Sequence, residues 1–217
     1  MIPRILVALF LVFITISCSS TKNSQDELEE NQTAFAGKIV YQYTFNDPES
    51  GQDITDQMAD ILGYKQHYFI NSNNYKSYDE KGNLGQLYNA IDNKYYFPNP
   101  RTDEIVVIDA SLQMSEIISI THSEETELVL GKVCKKVVVK TETDETTYFY
   151  SDEIAVDPSA FESHKFGGWN AYLNATNGSL ALKMIIKNQN YIWTSVAVEI
   201  EPFDLTYDDF NPQEILN

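Results

Sequence analysis

Residues 179–201 read SLALKMIIKNQNYIWTSVAVEIE, and the fold is decided there. Leu180, Leu182, Met184 and Ile186 occupy alternate positions, which in an extended chain project from one face. Asn188-Gln189-Asn190 interrupts them with turn-forming residues. Ile192, Thr194, Val196, Val198 and Ile200 then alternate again, with Trp193 opposite the Ile192/Val196 face. Two period-two runs joined by a short polar break predict a β-hairpin.

The same period recurs upstream. Ile39, Tyr41, Tyr43 and Phe45 alternate, and short strand candidates follow at 66–70, 74–78, 86–90, 94–97, 104–108, 132–140 and 146–151. Lys81-Gly82-Asn83, Ile91-Asp92-Asn93 and Pro98-Asn99-Pro100 punctuate them. One segment has a different period: Ile54, Met58, Ile61 and Leu62 recur at helical spacing, with Asp53 as N-cap and Gly63 as stop. Many short strands with one short helix predict a mainly β (α+β) domain over 36–217, an antiparallel meander whose sheet curls. The stripe Ile54, Met58, Ile61 and Leu62 has two readings, an ordinary core-facing helix face or a lid over a ligand.

The N-terminus has another character. Arg4, the apolar run 5–16 and Ser17-Cys18 form the pattern of a secretion signal. The run is shorter than the roughly 20 residues a spanning helix needs. Cys18 follows a small residue and an aliphatic one, as in a lipobox, although Thr15 stands where Leu is usual. The expectation is a lipoprotein signal over 1–17 and an acylated Cys18 that holds the chain to a membrane; an ordinary cleavable signal with a coincidental cysteine is the alternative. Residues 18–35 are polar, carry Asp26-Glu27-Leu28-Glu29-Glu30 and read as a flexible acidic tether.

Composition narrows the function. Thirty-two acids oppose 15 bases, giving a net charge of −17. That balance speaks against nucleic acid and against adhesion to anionic lipid, both of which need basic clusters. A hydrophobic content of 43% argues against disorder. With Cys18 acylated, Cys134 has no partner and reads as a small buried hydrophobe rather than a reactive thiol.

Catalytic and metal motifs are sparse. His67, His122 and His164 lack zinc-ligand spacing, and Gly167-Gly168 is a turn signal rather than part of a phosphate loop. The acidic pairs Glu124-Glu125, Asp152-Glu153 and Asp208-Asp209 follow no calcium-loop pattern and read as solvated loops. No catalytic residue, metal or cofactor is therefore expected. The 14 Tyr and 11 Phe cluster in strands, as at Tyr41/Tyr43, Tyr68/Phe69, Tyr95/Tyr96/Phe97 and Tyr148/Phe149/Tyr150. Tyrosine suits a cavity for amphipathic ligands, and it is also an ordinary strand residue.

Several short motifs carry a resemblance: 35–41 (FAGKIVY), 130–136 (LGKVCKK), 147–154 (TYFYSDEI) and 197–200 (AVEI) leading to Phe203, Phe210 and Pro212. Together they resemble the bacterial GLPGLI-type families of unknown function, which belong with LolA- and LolB-like lipoprotein carriers. The motif that names the family is absent, with residues 167–180 in its place. The resemblance implies a curved, unclosed antiparallel half-barrel with one or a few short helices on its concave face. In the LolA and LolB branch it further implies acyl chains held in that concavity. The expectation is a lipid-anchored outer-membrane protein, facing periplasm or cell surface, that binds a hydrophobic ligand such as lipid or a lipoprotein. A protein-interaction scaffold is the alternative, and a glycan hydrolase comes third. The carrier reading needs apolar space between sheet and helix.

Overall fold

The computed structural model describes residues 34–102 and 104–216, so the predicted signal segment, Cys18 and most of the predicted acidic tether lie outside the described residues. Phe35 is already packed: its ring is buried and its N–H donates to the Ala155 carbonyl at 2.7 Å. Phe35, the last residue of the predicted tether, is thus part of the folded domain.

Eleven strands follow among the described residues. They are β1 (Gly37–Asn46), β2 (Lys65–Ile70), β3 (Tyr75–Tyr78), β4 (Leu84–Asn89), β5 (Lys94–Pro98), β6 (Ile105–Asp109), β7 (Ile117–Val129), β8 (Lys132–Thr141), β9 (Glu145–Ala155), β10 (Ser179–Lys187) and β11 (Ile192–Pro202). They form one sheet in the order β6-β5-β4-β3-β2-β1-β11-β10-β9-β8-β7, every neighbouring pair antiparallel. Two meanders, β1–β6 and β7–β11, therefore meet at the central pair of β1 and β11.

This topology dictates curvature. Eleven strands laid flat would separate the two edge strands by about 48 Å at the usual interstrand spacing. Yet β6 and β7, which are those edges, are joined by residues 110–116 alone, a reach of about 28 Å. The sheet must curl to bring its edges within that reach. Alternating directions through an odd number of strands also leave β6 and β7 pointing the same way. They cannot close the sheet as a hairpin, so it remains an unclosed half-barrel and residues 110–116 run back along the gap.

Cross-strand partners fix the two faces. Ile39 opposes Tyr68, Ile70 opposes Tyr75, Tyr75 opposes Tyr88, and Tyr88 opposes Tyr95, so one face of β1–β5 carries a row of aromatic rings. Residues 157–178 return over that face. Asp157 accepts the Ser159 N–H to start a 3-10 turn at Pro158–Phe161, and a short helix α2 (Trp169–Ala175) follows. Gly167 and Gly168, with φ of 64° and 71°, make the left-handed reversal that allows α2 to begin. On the opposite face, Phe210 of the C-terminal tail packs with Leu87 and Tyr96. Lys76 donates to the Asp209 carbonyl at 2.5 Å and lies over the Phe69, Tyr78 and Phe210 rings at 5.8, 5.7 and 5.5 Å.

The predicted helix forms as α1 (Thr55–Leu62), with Ile54 rather than Asp53 at its N-cap; Asp53, one residue earlier, accepts the Thr55 N–H at 2.8 Å. The predicted hairpin forms as β10 and β11, with a change of faces. Ile186 opposes Trp193 and Met184 opposes Ser195, so Trp193 lies with Met184 and Ile186, and Ile192 and Val196 take the other face. Farther along, Val40 pairs Glu199 while Tyr41 pairs Ala197, leaving Val198 unpaired. That bulge restores Ile200 to the face of Ile39, so the 192–200 run does not share one face.

Candidate functional site

The aromatic face of β1–β5 and its cover enclose the largest concentration of unusual chemistry. The cover contributes Phe161, His164, Phe166, Trp169 and Tyr172. His164 stacks on Tyr88 at 4.1 Å and on Tyr75 at 5.6 Å between centroids. Trp169 meets Tyr75 edge-on at 5.6 Å, Tyr172 lies 4.1 Å from Tyr148 of β9, and Phe166 lies 4.7 Å from Tyr95. Such ring pairs add about 0.5–1.5 kcal/mol each beyond the area they bury. Sheet and cover are thus held together chiefly by aromatic contact. The cover is also tied to the start of the 110–116 connection, since the N–H groups of Lys165 and Phe166 both donate to the Ala110 carbonyl at 2.7 and 2.9 Å.

Polar atoms inside this cluster divide into satisfied and orphaned. Tyr75 Oη lies 2.6 Å from His164 Nε2, and either can donate according to the His164 tautomer. Tyr41 donates to the Ala181 carbonyl at 2.7 Å, Tyr172 to the Ser179 carbonyl at 2.7 Å, and Tyr95 to Gln86 Oε1 at 2.6 Å. Tyr68 Oη, His164 Nδ1 and Trp169 Nε1 are buried and have no partner among the described residues. The rings bearing all three touch Tyr75.

Charge is excluded from this interior. Burial drives the His164 pKa down to about 3, and burial likewise raises the hydroxyls of Tyr41, Tyr68, Tyr75, Tyr95 and Tyr172 well above their usual value. A neutral imidazole with so low a pKa is a poor proton acceptor near pH 7. What the site can offer is apolar ring surface plus a few uncharged donors and acceptors. The apolar space that the carrier reading needs between sheet and helix is occupied by these rings.

The residues singled out from sequence fall elsewhere. Of the helical stripe, Ile54 precedes α1, Met58 and Leu62 are half-buried beside β1, and Ile61 is 64% exposed; the buried residue of α1 is Ala59. These four residues do not line the aromatic cluster. Cys18 lies outside the described residues. Cys134 is fully buried in β8 and burial raises its thiol pKa. His67 lies on β2 and His122 is exposed on β7, so the three histidines are not brought together. Among the described residues no group of three or more His, Cys, Asp or Glu side chains could hold a metal. Two of the acidic pairs read as loops lie on strands: Glu125 of β7 pairs with Lys136 at 2.6 Å, and Glu153 of β9 with Lys132 at 2.5 Å. Sequence reasoning missed the cover as an element. Its signals were the Asp157-Pro158-Ser159 start and the close spacing of Phe161, His164, Trp169 and Tyr172.

No family model matches the chain, and no curated protein matches it. Among solved structures, PNGF-II in a P21 crystal form is similar at 20% identity with a TM-score of 0.49, covering 85% of this chain and 30% of that one. A C2 crystal form of PNGF-II gives 17% identity and a TM-score of 0.44 over 82% of this chain. The chain thus spans about 30% of the length of PNGF-II. A domain assigned as an outer membrane lipoprotein-sorting protein from Vibrio parahaemolyticus shows 8% identity and a TM-score of 0.34, covering 83% of this chain and 92% of that one.

Proposed function

We propose that this chain is a lipid-anchored, non-catalytic module of the bacterial outer membrane, facing periplasm or cell surface, that takes up an amphipathic ligand such as a lipid or a lipoprotein's acyl chain. The observation that carries the ligand reading is the set of three orphaned polar atoms, Tyr68 Oη, His164 Nδ1 and Trp169 Nε1, on buried rings that each touch Tyr75 in an otherwise aromatic interior. Leaving a polar group buried without a partner costs about 1–3 kcal/mol, so a ligand that brings hydrogen-bonding groups recovers that penalty. Because rings fill the space this reading needs, uptake requires residues 157–178 to move off the sheet, and the ligand's apolar part then takes over the ring contacts they make. Anchoring rests on the sequence around Cys18, and each buried methylene of an acyl chain contributes about 0.8 kcal/mol to holding it in a bilayer.

Native mass spectrometry and solvent extraction of the full chain test both parts. Retained lipid is expected, together with an N-terminal fragment that begins at a diacylglyceryl-modified Cys18. Saturable binding of a fluorescent fatty acid is expected to weaken in Trp169→Ala. A cooperatively folded chain that neither retains lipid nor binds the probe would sink the ligand reading, and an unmodified Cys18 would sink the anchor.

One observation favours the scaffold alternative. Strand β7 is an edge of 13 residues on which Ile118 and Leu128 are 60% and 70% exposed. An unpaired strand edge of that length can add a strand from another protein. In-cell cross-linking from β7 that recovers one partner, with no lipid bound, would select that reading.

A further inference from the structure

The C-terminal tail builds a second site, remote in character from the aromatic interior. Between the tail and the β4–β5 turn lies a cavity of ≈ 230 Å³, lined by Asn89, Asp92, Tyr96, Tyr207, Asn211 and Gln213 among others. Its walls are held in place by the fold. Asn89 is 1% exposed and donates to Tyr207 Oη at 3.4 Å and to the Phe210 carbonyl at 3.3 Å. Tyr96 donates to Asp92 Oδ2 at 3.0 Å, which fixes the carboxylate. Asn211 caps the helix α3 (Pro212–Ile215) by accepting the Gln213 N–H at 3.1 Å.

Those bonds leave defined groups unused. Asp92 Oδ1, the Tyr207 hydroxyl proton and Asn211 Nδ2 make no hydrogen bond within the described residues, and all three residues line the cavity. The site therefore presents one strong acceptor, two donors and the half-exposed flat ring of Tyr207. An anion is disfavoured, since the lining carries a carboxylate and no Lys or Arg. A metal ion would find a single carboxylate there. An acyl chain needs a longer and less polar groove, because drug-sized apolar pockets begin at about 300 Å³. What remains is a small, neutral, polyhydroxylated ring. Its hydroxyls both donate and accept, and its C–H face can lie on an aromatic ring.

We propose that this cavity binds one neutral pyranose unit of a glycan. Asp92 Oδ1 accepts from the sugar hydroxyls, Asn211 Nδ2 and the Tyr207 hydroxyl donate to sugar oxygens, and the Tyr207 ring packs on the C–H face. The site is independent of any ligand in the aromatic interior.

Saturation-transfer NMR and calorimetry on the full chain in detergent test this, with glucose, galactose, mannose and N-acetylglucosamine as separate probes. Saturable binding of at least one sugar is expected. Losing a hydrogen bond to a charged group weakens affinity about tenfold or more, so Asp92→Ala is expected to show that loss. Asn211→Ala and Tyr207→Ala should each weaken binding without abolishing the cooperative melt. Ile61→Lys, on the exposed side of α1, is expected to leave sugar binding unchanged. A folded chain that binds none of the four sugars, or binding that survives all three cavity variants, would overturn the proposal. Fatty-acid binding measured alongside keeps the outcome for this cavity separate from that for the interior.

Discussion

Gly178 and Gly131 share a left-handed backbone, with φ of 82° and 74°, and differ in what surrounds them. A Cβ on Gly178 would lie 1.9 Å from the Val156 carbonyl oxygen, whereas one on Gly131 meets nothing within 4 Å. Gly178 also donates to the Leu173 carbonyl at 2.7 Å and accepts from Val156 N–H at 3.0 Å, tying the end of α2 to the end of β9. Gly131→Ala is expected to lose only the conformational cost of about 1–2 kcal/mol. Gly178→Ala adds a backbone clash and should lose about 3 kcal/mol or more, read as a urea midpoint difference between the two variants. His164 gives a second test at this scale. Its folded pKa of about 3 lies below the unfolded value near 6.5, so between those values only the unfolded chain takes up the proton. Stability is therefore full above pH 6.5 and falls by about 1.4 kcal/mol per pH unit as the pH drops toward 3. Asp47 and Asp53, whose hydrogen bonds lower their pKa, add their own loss below about pH 4. Urea unfolding of the wild type and His164→Asn at pH 7 to 4.5 should show a shallower slope in the variant. Equal slopes would mean that His164 is not held neutral.

Helices and strands record why some of the molecule was legible and some was not. The tail and α1 make opposite cases. Phe210 has no exposed surface and fills the space over Leu87 and Tyr96, so Phe210→Ala is expected to destabilise by about 3–5 kcal/mol. Ile61→Lys, on the exposed side of α1, should fall within about 0.5 kcal/mol of wild type by the same urea titration. Sequence periodicity presented Ile61 as part of an apolar stripe, whereas Phe210 entered only through the family resemblance. Strand patterning revealed every strand of the described residues but one: alternation marked β1, β10 and β11, and strand-forming runs between turn signals marked β2–β6, β8 and β9. It missed β7, where most of 118–128 is exposed on both sides and Glu124-Glu125 sits in its midst. The cover was illegible for a different reason. Its seven-residue α2 has no room for a repeating stripe, and its rings face partners distant in sequence, such as Tyr75 for His164. The bulge at Val198 was also silent, because its cause lies in pairing with β1 rather than in local sequence.

At the scale of the whole molecule, the connection 110–116 ties the two edges of the half-barrel. It leaves the end of β6 and must reach the start of β7 at the opposite end of a parallel-running edge. Leu112 and Met114 on it are exposed, at 52% and 72%, so its role is length rather than packing. Only its first residue is anchored deeply: Ala110 is fully buried, and its carbonyl receives both Lys165 and Phe166 from the cover. Shortening the connection should thus strain the curl and the cover together, whereas lengthening it should add only chain entropy. Deleting Leu112 and Gln113 is expected to remove more than about 2 kcal/mol and to expose the aromatic interior, seen as faster proteolysis within 157–178. Inserting six Gly-Ser residues after Gln113 roughly doubles the loop, which costs about 0.6 kcal/mol by loop-closure entropy. Replacing Leu112 and Met114 by Ser should change stability within about 0.5 kcal/mol. If deletion and insertion prove equally mild, residues 110–116 are slack, and curvature comes from the sheet's own twist and the aromatic cover.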